Sequence, residues 1–168
     1  MINICINDEL RTVLSKNNID PSSEYVPAYG GESAGLDLYN AGETMHIPPS
    51  ANISLTNTDK QKFKTLIPTG IRISVPKGYV ALIQERGSIT KTPLKVRAGV
   101  IDSGYTGEVF VNCVNTGASS YTIYKNSKLP FQIVVVKCDN DFKVVTEEEY
   151  LSLSNSSLRQ EGKVGSSD

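Results

Sequence analysis

The chain has 168 residues, a formal net charge of −1 and a pI near 5.9. That length is one domain's worth, large enough to bury roughly 68–70% of the surface its unfolded chain exposes. The near-balanced charge excludes a broad electrostatic footprint for nucleic acid or an anionic membrane but permits a small, locally held anion, and no apolar run approaches the ~20 residues of a membrane span.

The N-terminal "MINICINDELR" has no leader-like apolar stretch and reads as the start of a soluble, unsecreted protein. Within it, residues 7–16 ("NDELRTVLSK") predict a short amphipathic helix inside an N-terminal insertion at about 7–23. In "GIRISVPKGYVALI", Ile71, Ile73 and Val75 alternate with Arg72 and Ser74. Pro76-Lys77-Gly78 then turns the chain before Tyr79, Ala81 and Ile83 alternate with Val80 and Leu82. This predicts a β-hairpin. Further strands are expected at 108–115, 121–126 and 131–138, each bounded by Gly, Asn, Ser or Pro, and residues 146–153 predict another turn or two of helix. Many short strands with regular turn signals define an all-β antiparallel sandwich or barrel. The barrel domain is expected to span residues 1–153. Residues 154–168, dominated by Ser, Gly and charge, bury too little to order themselves and read as a flexible arm.

Cys5, Cys113 and Cys138 are widely spaced and form no Cys-x-x-Cys, so neither a disulfide framework nor a zinc site is expected. They read as reduced, half-buried strand residues of a protein in the cytoplasm or another reducing compartment, the nucleus included. His46, the single histidine, reads as a surface loop residue beside Ile47-Pro48-Pro49, which argues against histidine-dependent chemistry.

Five polar islands interrupt the β pattern: "SAGLDLY" with Asp37, "QERGSIT" with Arg86 and Ser88, "AGVIDSGYTGEV" with Asp102 and Tyr105, "KLPFQI" with Gln132, and the Gly/Ser-rich tail with Arg159. Singly, Asp37 reads as a turn or cap residue, Arg86-Gly87-Ser88 as a loop, Asp102 as an Asx-turn and Gln132 as an exposed strand residue. Their order and spacing together resemble the trimeric dUTP nucleotidohydrolases (dUTPases) from about residue 26 to the C-terminus. The family's A-G-x-D-L is met by Ala34-Gly35-Leu36-Asp37-Leu38, and its G-V-I-D-x-x-Y-x-G-E/N-V by residues 99–109, the most specific match. The other motifs are altered. P-R-S-G/S reads Glu85-Arg86-Gly87-Ser88, with the serine one place late. R-I-A-Q reads Leu129-Pro130-Phe131-Gln132, with Lys128 as the nearby cation. In the last motif Arg159, Gly162, Gly165, Ser166 and Ser167 survive, while the family's base-stacking phenylalanine is Val164. Arg97 stands where the family more often has a small or amide residue.

The resemblance implies a jelly-roll-like β barrel assembled as a homotrimer, with active sites at subunit interfaces closed by a neighbour's C-terminal arm. It implies Mg²⁺-dependent hydrolysis of dUTP to dUMP and pyrophosphate, which limits uracil in DNA and supplies dUMP for thymidylate synthesis. Attack of water on phosphorus needs a base and counter-charge for the leaving group. Asp102 is the implied base, Arg86 and Arg159 the implied forks for phosphate oxygens, and Gly87, Ser88, Gly165, Ser166 and Ser167 further donors. Asp37 and Gln132 are expected to hold metal or phosphate waters without ligating the metal directly. A hairpin at Ala98, Gly99, Val100 and Ile101 is expected to read the uracil edge with its main chain, and Tyr105 to lie under the deoxyribose where a 2′-OH would collide. Two other readings compete: a dUTPase-fold nucleotide-binding or regulatory protein with weak turnover, and a dCTP deaminase, whose glutamate in the strand after the turn has no counterpart in Val109-Phe110-Val111-Asn112-Cys113-Val114.

Overall fold

The computed structural model describes residues 2–24, 32–50, 66–139 and 141–155. Eleven strands occur among them: β1 Asn3–Ile6, β2 Gly35–Tyr39, β3 Met45–Ile47, β4 Leu66–Pro68, β5 Ile71–Ser74, β6 Tyr79–Glu85, β7 Leu94–Arg97, β8 Val100–Ile101, β9 Phe110–Asn115, β10 Tyr121–Ile123 and β11 Lys128–Lys137. They form a four-stranded sheet in the order β2-β11-β6-β8, a three-stranded sheet β4-β9-β7, and two pairs, β1-β5 and β10-β3. Each ladder is antiparallel. The inward residues of these sheets make one core: Leu38 from β2, Ile67 from β4, Ile71 and Ile73 from β5, Ala81 and Ile83 from β6, Val111 and Cys113 from β9, and Phe131 and Ile133 from β11. Period-2 alternation over two-layer packing is what puts them there. The architecture is the all-β, jelly-roll-like fold expected. Among the described residues no helix is long and apolar enough to cross a membrane.

The N-terminal helix is α1, Asp8–Lys16. Asn7 caps it, its side chain accepting from the Leu10 amide at 2.9 Å, and Asp8 and Glu9 in the first turn and Lys16 in the last complement the helix dipole. Leu10, Val13 and Leu14, spaced i, i+3, i+4, are buried in the core. The insertion is therefore part of the barrel's hydrophobic interior. A four-residue helical turn, α2 Pro21–Glu24, follows it, and α3 covers Glu147–Asn155 with Tyr150, Leu151 and Leu153 exposed.

Four expectations are corrected. The 71–83 hairpin does not form. Its turn is real, with the Tyr79 amide donating to the Pro76 carbonyl at 3.1 Å and Gly78 at φ +82°. Yet β5 pairs with β1 and β6 pairs with β11 and β8, so the turn is an arch carrying the chain from one sheet to another. Alternation identifies two strands and a turn but says nothing about whose hydrogen-bonding edges meet. For the same reason the 98–109 segment is not a hairpin: β8 sits on β6, whereas β9 sits between β4 and β7. His46 lies on β3, exposed, with Nδ1 3.0 Å from the Thr122 hydroxyl across the pair, and not in a loop. The cysteines are free as expected but not uniformly half-buried. Cys5 is exposed on β1, Cys113 is fully buried on β9, and Cys138 is intermediate, just past β11. Burial pushes the Cys113 thiol up to about 12.

Candidate active site

One cluster of predicted residues forms on the four-stranded sheet. Antiparallel register places Asp37 of β2, Gln132 of β11 and Gln84 of β6 in one cross-strand row. Gln132 donates from Nε2 to the Glu85 carbonyl at 3.1 Å. Its side chain lies so close over Gly35 that a Cβ there would come within 2.0 Å of the Gln132 Oε1, which explains glycine at that place. Arg86 follows the end of β6, with Nε 2.5 Å from the Asp37 Oδ1 and a guanidinium N–H donating to the Leu129 carbonyl at 3.2 Å. Gly87 and Ser88, both exposed, open a 3-10 turn spanning Gly87–Lys91 whose anchor is the buried Ile89.

Lys128 joins this cluster through an irregularity. From Gln132 back to Lys128 the chain takes four residue steps on β11 (132 − 128) while its partner takes two on β2, from Asp37 to Tyr39. Pro130, which has no amide to donate, lies inside the bulge, where a proline is tolerated. The Lys128 Nζ contacts the Asp37 Oδ2 at 2.9 Å and the Glu24 Oε1 at 3.0 Å, and sits 5.4 Å from the centroid of the Tyr39 ring. The Tyr39 hydroxyl donates to the same Glu24 oxygen at 2.6 Å. Burial alone would push the Lys128 ammonium down, but hydrogen bonds to Asp37, Glu24 and Tyr39 overcome it and leave the pKa above the usual lysine value. Burial, and then the bond to Glu24, push the Tyr39 hydroxyl up to about 12. Glu24 lies in no polar island, and Tyr39, the last residue of "SAGLDLY", was given no role of its own. The only signal for Lys128 was its charge beside the altered fourth motif.

The second cluster surrounds a cavity of about 280 Å³ lined by Leu66, Ile83, Ala98, Val100, Ile101, Asp102, Tyr105, Glu108, Val109 and Phe110. Five predicted residues meet here: Ala98, Val100, Ile101, Asp102 and Tyr105. Ala98 takes a left-handed conformation, φ +49°, uncommon for a residue with a Cβ. The next carbonyl, of Gly99, accepts from the Ile83 amide at 2.7 Å, and a Cβ on Gly99 would strike the Ile83 carbonyl oxygen at 2.8 Å. Only glycine lets the two main chains come so close. Asp102 is exposed at the start of a turn closed by the Tyr105 amide on the Asp102 carbonyl, 3.0 Å. The Tyr105 hydroxyl donates to the Glu108 carbonyl at 2.7 Å, and the Glu108 carboxylate accepts from the Gly70 amide at 2.9 Å. Glu108 thereby ties the tyrosine turn to the strand-to-strand corner beneath it.

The two clusters do not converge within one chain. Ile101 pairs with Ala81 and Val100 with Leu82, so β8 runs toward the start of β6 while Arg86 follows its end. Continued by one residue, that register sets Asp102 beside Val80, six residues from Arg86, or about 20 Å of extended strand. Arg159, Val164, Gly165, Ser166 and Ser167 lie outside the described residues.

Among the described residues no three His, Cys, Asp or Glu side chains converge into a metal site. The oxygen donors present, Asp37 and Asp102, suit a hard cation that arrives on phosphate and keeps most of its waters, since Mg²⁺ is commonly bound by one or two carboxylates beside substrate phosphates.

The jelly-roll-like β fold carries an ion-paired cluster on its four-stranded sheet and a separate cavity beside β8. The family model for dUTPase matches residues 24–168, and the chain belongs to the dUTPase family. It is 33% identical over 147 residues to the deoxyuridine 5′-triphosphate nucleotidohydrolase of Escherichia phage T5, covering 84% of this chain and 90% of that protein. A mutant dUTPase of Staphylococcus bacteriophage 80alpha, solved with dUpNHpp, superposes with a TM-score of 0.66 at 25% identity, covering 99% of this chain and 98% of that one. A mutant dUTPase from phage phi11 of S. aureus, described as coordinating a structural Mg(II) ion, gives 0.61 at 21% identity over 88% of this chain and 97% of that one.

Proposed function

We propose that the chain hydrolyses dUTP to dUMP and pyrophosphate with Mg²⁺, as a homotrimer in which the Asp37–Arg86–Gln132 cluster of one protomer meets the Asp102–Tyr105 cavity of another. The β8–β6 register carries the shared site: extended by one residue, it sets the carboxylate that suits a base six residues of β6, or about 20 Å, from the cation that suits phosphates. A single protomer holds both parts but cannot apply them to one α-phosphate.

In the assembled site the cavity takes the deoxyuridine. Main-chain groups from Ala98 to Ile101 have fixed polarity and distinguish uracil from cytosine, a mispaired buried group costing about 1–3 kcal/mol. Tyr105, held by its bond to Glu108, presents its ring to the sugar. Asp102 accepts a proton from water as the water oxygen bonds to the α-phosphorus and the bond to the leaving pyrophosphate breaks. Arg86, freed in part from Asp37, offsets the charge on the departing phosphates, and Arg159 of the C-terminal arm adds a second fork. Mg²⁺ carried on the triphosphate would supply further charge neutralisation, with Asp37 and Gln132 holding its waters. Deamination has no support from β9, which carries no carboxylate.

Pyrophosphate release measured on dUTP, dCTP, dTTP and UTP, with and without Mg²⁺, tests the activity. Release from dUTP alone, dependent on Mg²⁺, is expected; binding of dUTP without release would make the chain a binding or regulatory protein. Mixing Arg86→Ala with Asp102→Asn tests the shared site. Each variant is expected to be nearly inactive alone, and co-refolded mixtures to recover activity because some interfaces pair two intact halves. A mixture that stays inactive, or an active species that light scattering finds monomeric, removes the trimer.

A further inference from the structure

Asp37 and Glu24 bring two negative charges to the phosphate cluster, and Arg86 and Lys128 bring two positive ones. An incoming triphosphate adds at least three negative charges, so the cations must trade carboxylate partners for phosphate oxygens. Lys128 is placed to do so. The bulge on β11 draws it two residue steps along β2, about 7 Å, from opposite Ala41 in unbroken register to opposite Tyr39. There it shares the Asp37 carboxylate with Arg86, one cation on each oxygen. Its side chain keeps 41% exposure, against 23% for Asp37 and 18% for Glu24, so Lys128 is the most exposed member of the group. An ammonium has three donors and no acceptor; Asp37, Glu24 and the Tyr39 hydroxyl take them, so a phosphate oxygen binds Lys128 by displacing one of these partners.

We propose that Lys128 is a second phosphate-binding cation of this site and that Glu24 competes with the triphosphate for it, an assignment that rests on the dUTP reading above. Glu24 holds the ammonium over the Tyr39 ring when no phosphate is bound. It also repels phosphate, so it sets a threshold for binding. Removing each residue therefore has opposite consequences: loss of Lys128 weakens polyphosphate binding, and neutralising Glu24 strengthens it. A merely structural ion pair would weaken binding in both cases, through the fold.

The test is calorimetric titration with inorganic tripolyphosphate, alongside KM for dUTP, on the full chain and its variants, each checked by thermal melting. Lys128→Met is expected to weaken tripolyphosphate binding and raise KM by ~10-fold or more, the worth of a charged hydrogen bond. Lys128→Arg, which keeps the charge, restores most of the loss. Glu24→Gln is expected to tighten tripolyphosphate by about two- to fivefold, as for a partly exposed ion pair, and to do nothing in the Lys128→Met background. The proposal is overturned if Lys128→Met changes tripolyphosphate affinity less than about twofold, if Glu24→Gln weakens binding, or if the wild-type chain binds no tripolyphosphate. Should these binding results hold while the wild type releases no pyrophosphate from dUTP, the hydrolysis reading fails and the Lys128 assignment stands.

Discussion

The two halves of the site are built on opposite plans. The half proposed to take phosphate is set by ladders: Asp37, Gln132 and Gln84 share one row of a sheet, and ion pairs from Arg86 and Lys128 cross-link their ends. The half proposed to take the nucleoside hangs from one two-residue strand, β8, and a turn in which residues 102–106 are all exposed. The first half carries its own counter-charge and is complete as an electrostatic unit before any ligand arrives. The second carries a strained alanine, a glycine pressed on a carbonyl and, in Asp102, a carboxylate with no side-chain partner among the described residues, and in the proposed trimer a neighbour completes it. Rigid ladders suit groups that must stay aligned while charge is exchanged. A turn suits a pocket whose main chain must face a base.

The sharpest way to separate the halves is Asp102→Asn, which is isosteric and sits on an exposed turn. Turnover of dUTP is expected to fall at least ~100-fold, the low end of general-base contributions, with binding of dUTP retained. Near wild-type kcat would place the base elsewhere. Next, Gly99→Ala presses a methyl on the Ile83 carbonyl, main chain that has nowhere to go. We expect a loss of about 1–3 kcal/mol in urea unfolding together with weaker dUMP binding. An unchanged midpoint would mean that β8 is free to lift off β6.

Gly35→Ala makes the contrasting probe, because the group it strikes is a side-chain amide. Gln132 is free to swing at the expense of its bond to the Glu85 carbonyl, so stability should drop by only about 1 kcal/mol. Tripolyphosphate affinity is expected to fall while dUMP affinity hardly changes; equal losses for both ligands would contradict the division into halves. The smallest effect expected concerns pH and the core that both halves share. The Cys113 thiol is raised from 9.0 to about 12 by burial, so above pH 9 the unfolded chain gives up a proton that the folded chain keeps. That contribution is fully present below pH 9 and is lost as pH rises toward 12. The first pH unit above 9 should therefore cost about 1 kcal/mol, read by urea unfolding at pH 8, 9 and 10. Cys113→Ala should flatten the slope. The Tyr39 hydroxyl, raised to about 12, adds a loss of the same sign from pH 10 upward.

Much of the site was legible because its chemistry is local. Motif spacing located Asp37, Arg86, Asp102, Tyr105 and Gln132, and alternation found most of the strands that carry them. α1 was readable to within a residue, since its cap, its charges and its i, i+3, i+4 stripe are all short-range signals. The N-terminal insertion was harder to weigh, because a stripe of three apolar residues does not reveal that it will fill the barrel's core.

By itself, then, the sequence determined the all-β class, the family and the candidate site residues, because turn chemistry, two-residue periodicity and motif order are written along the chain. Tertiary structure alone decided which strand edges meet, turning the 71–83 hairpin into an arch between sheets. It also decided that a bulge around Pro130 carries Lys128 onto Asp37 and Glu24, and that Arg86 and Asp102 lie at opposite ends of β6. The physical reason is that hydrogen-bonding edges are interchangeable along a strand. Their pairing is settled only when distant segments compete to bury their apolar faces together.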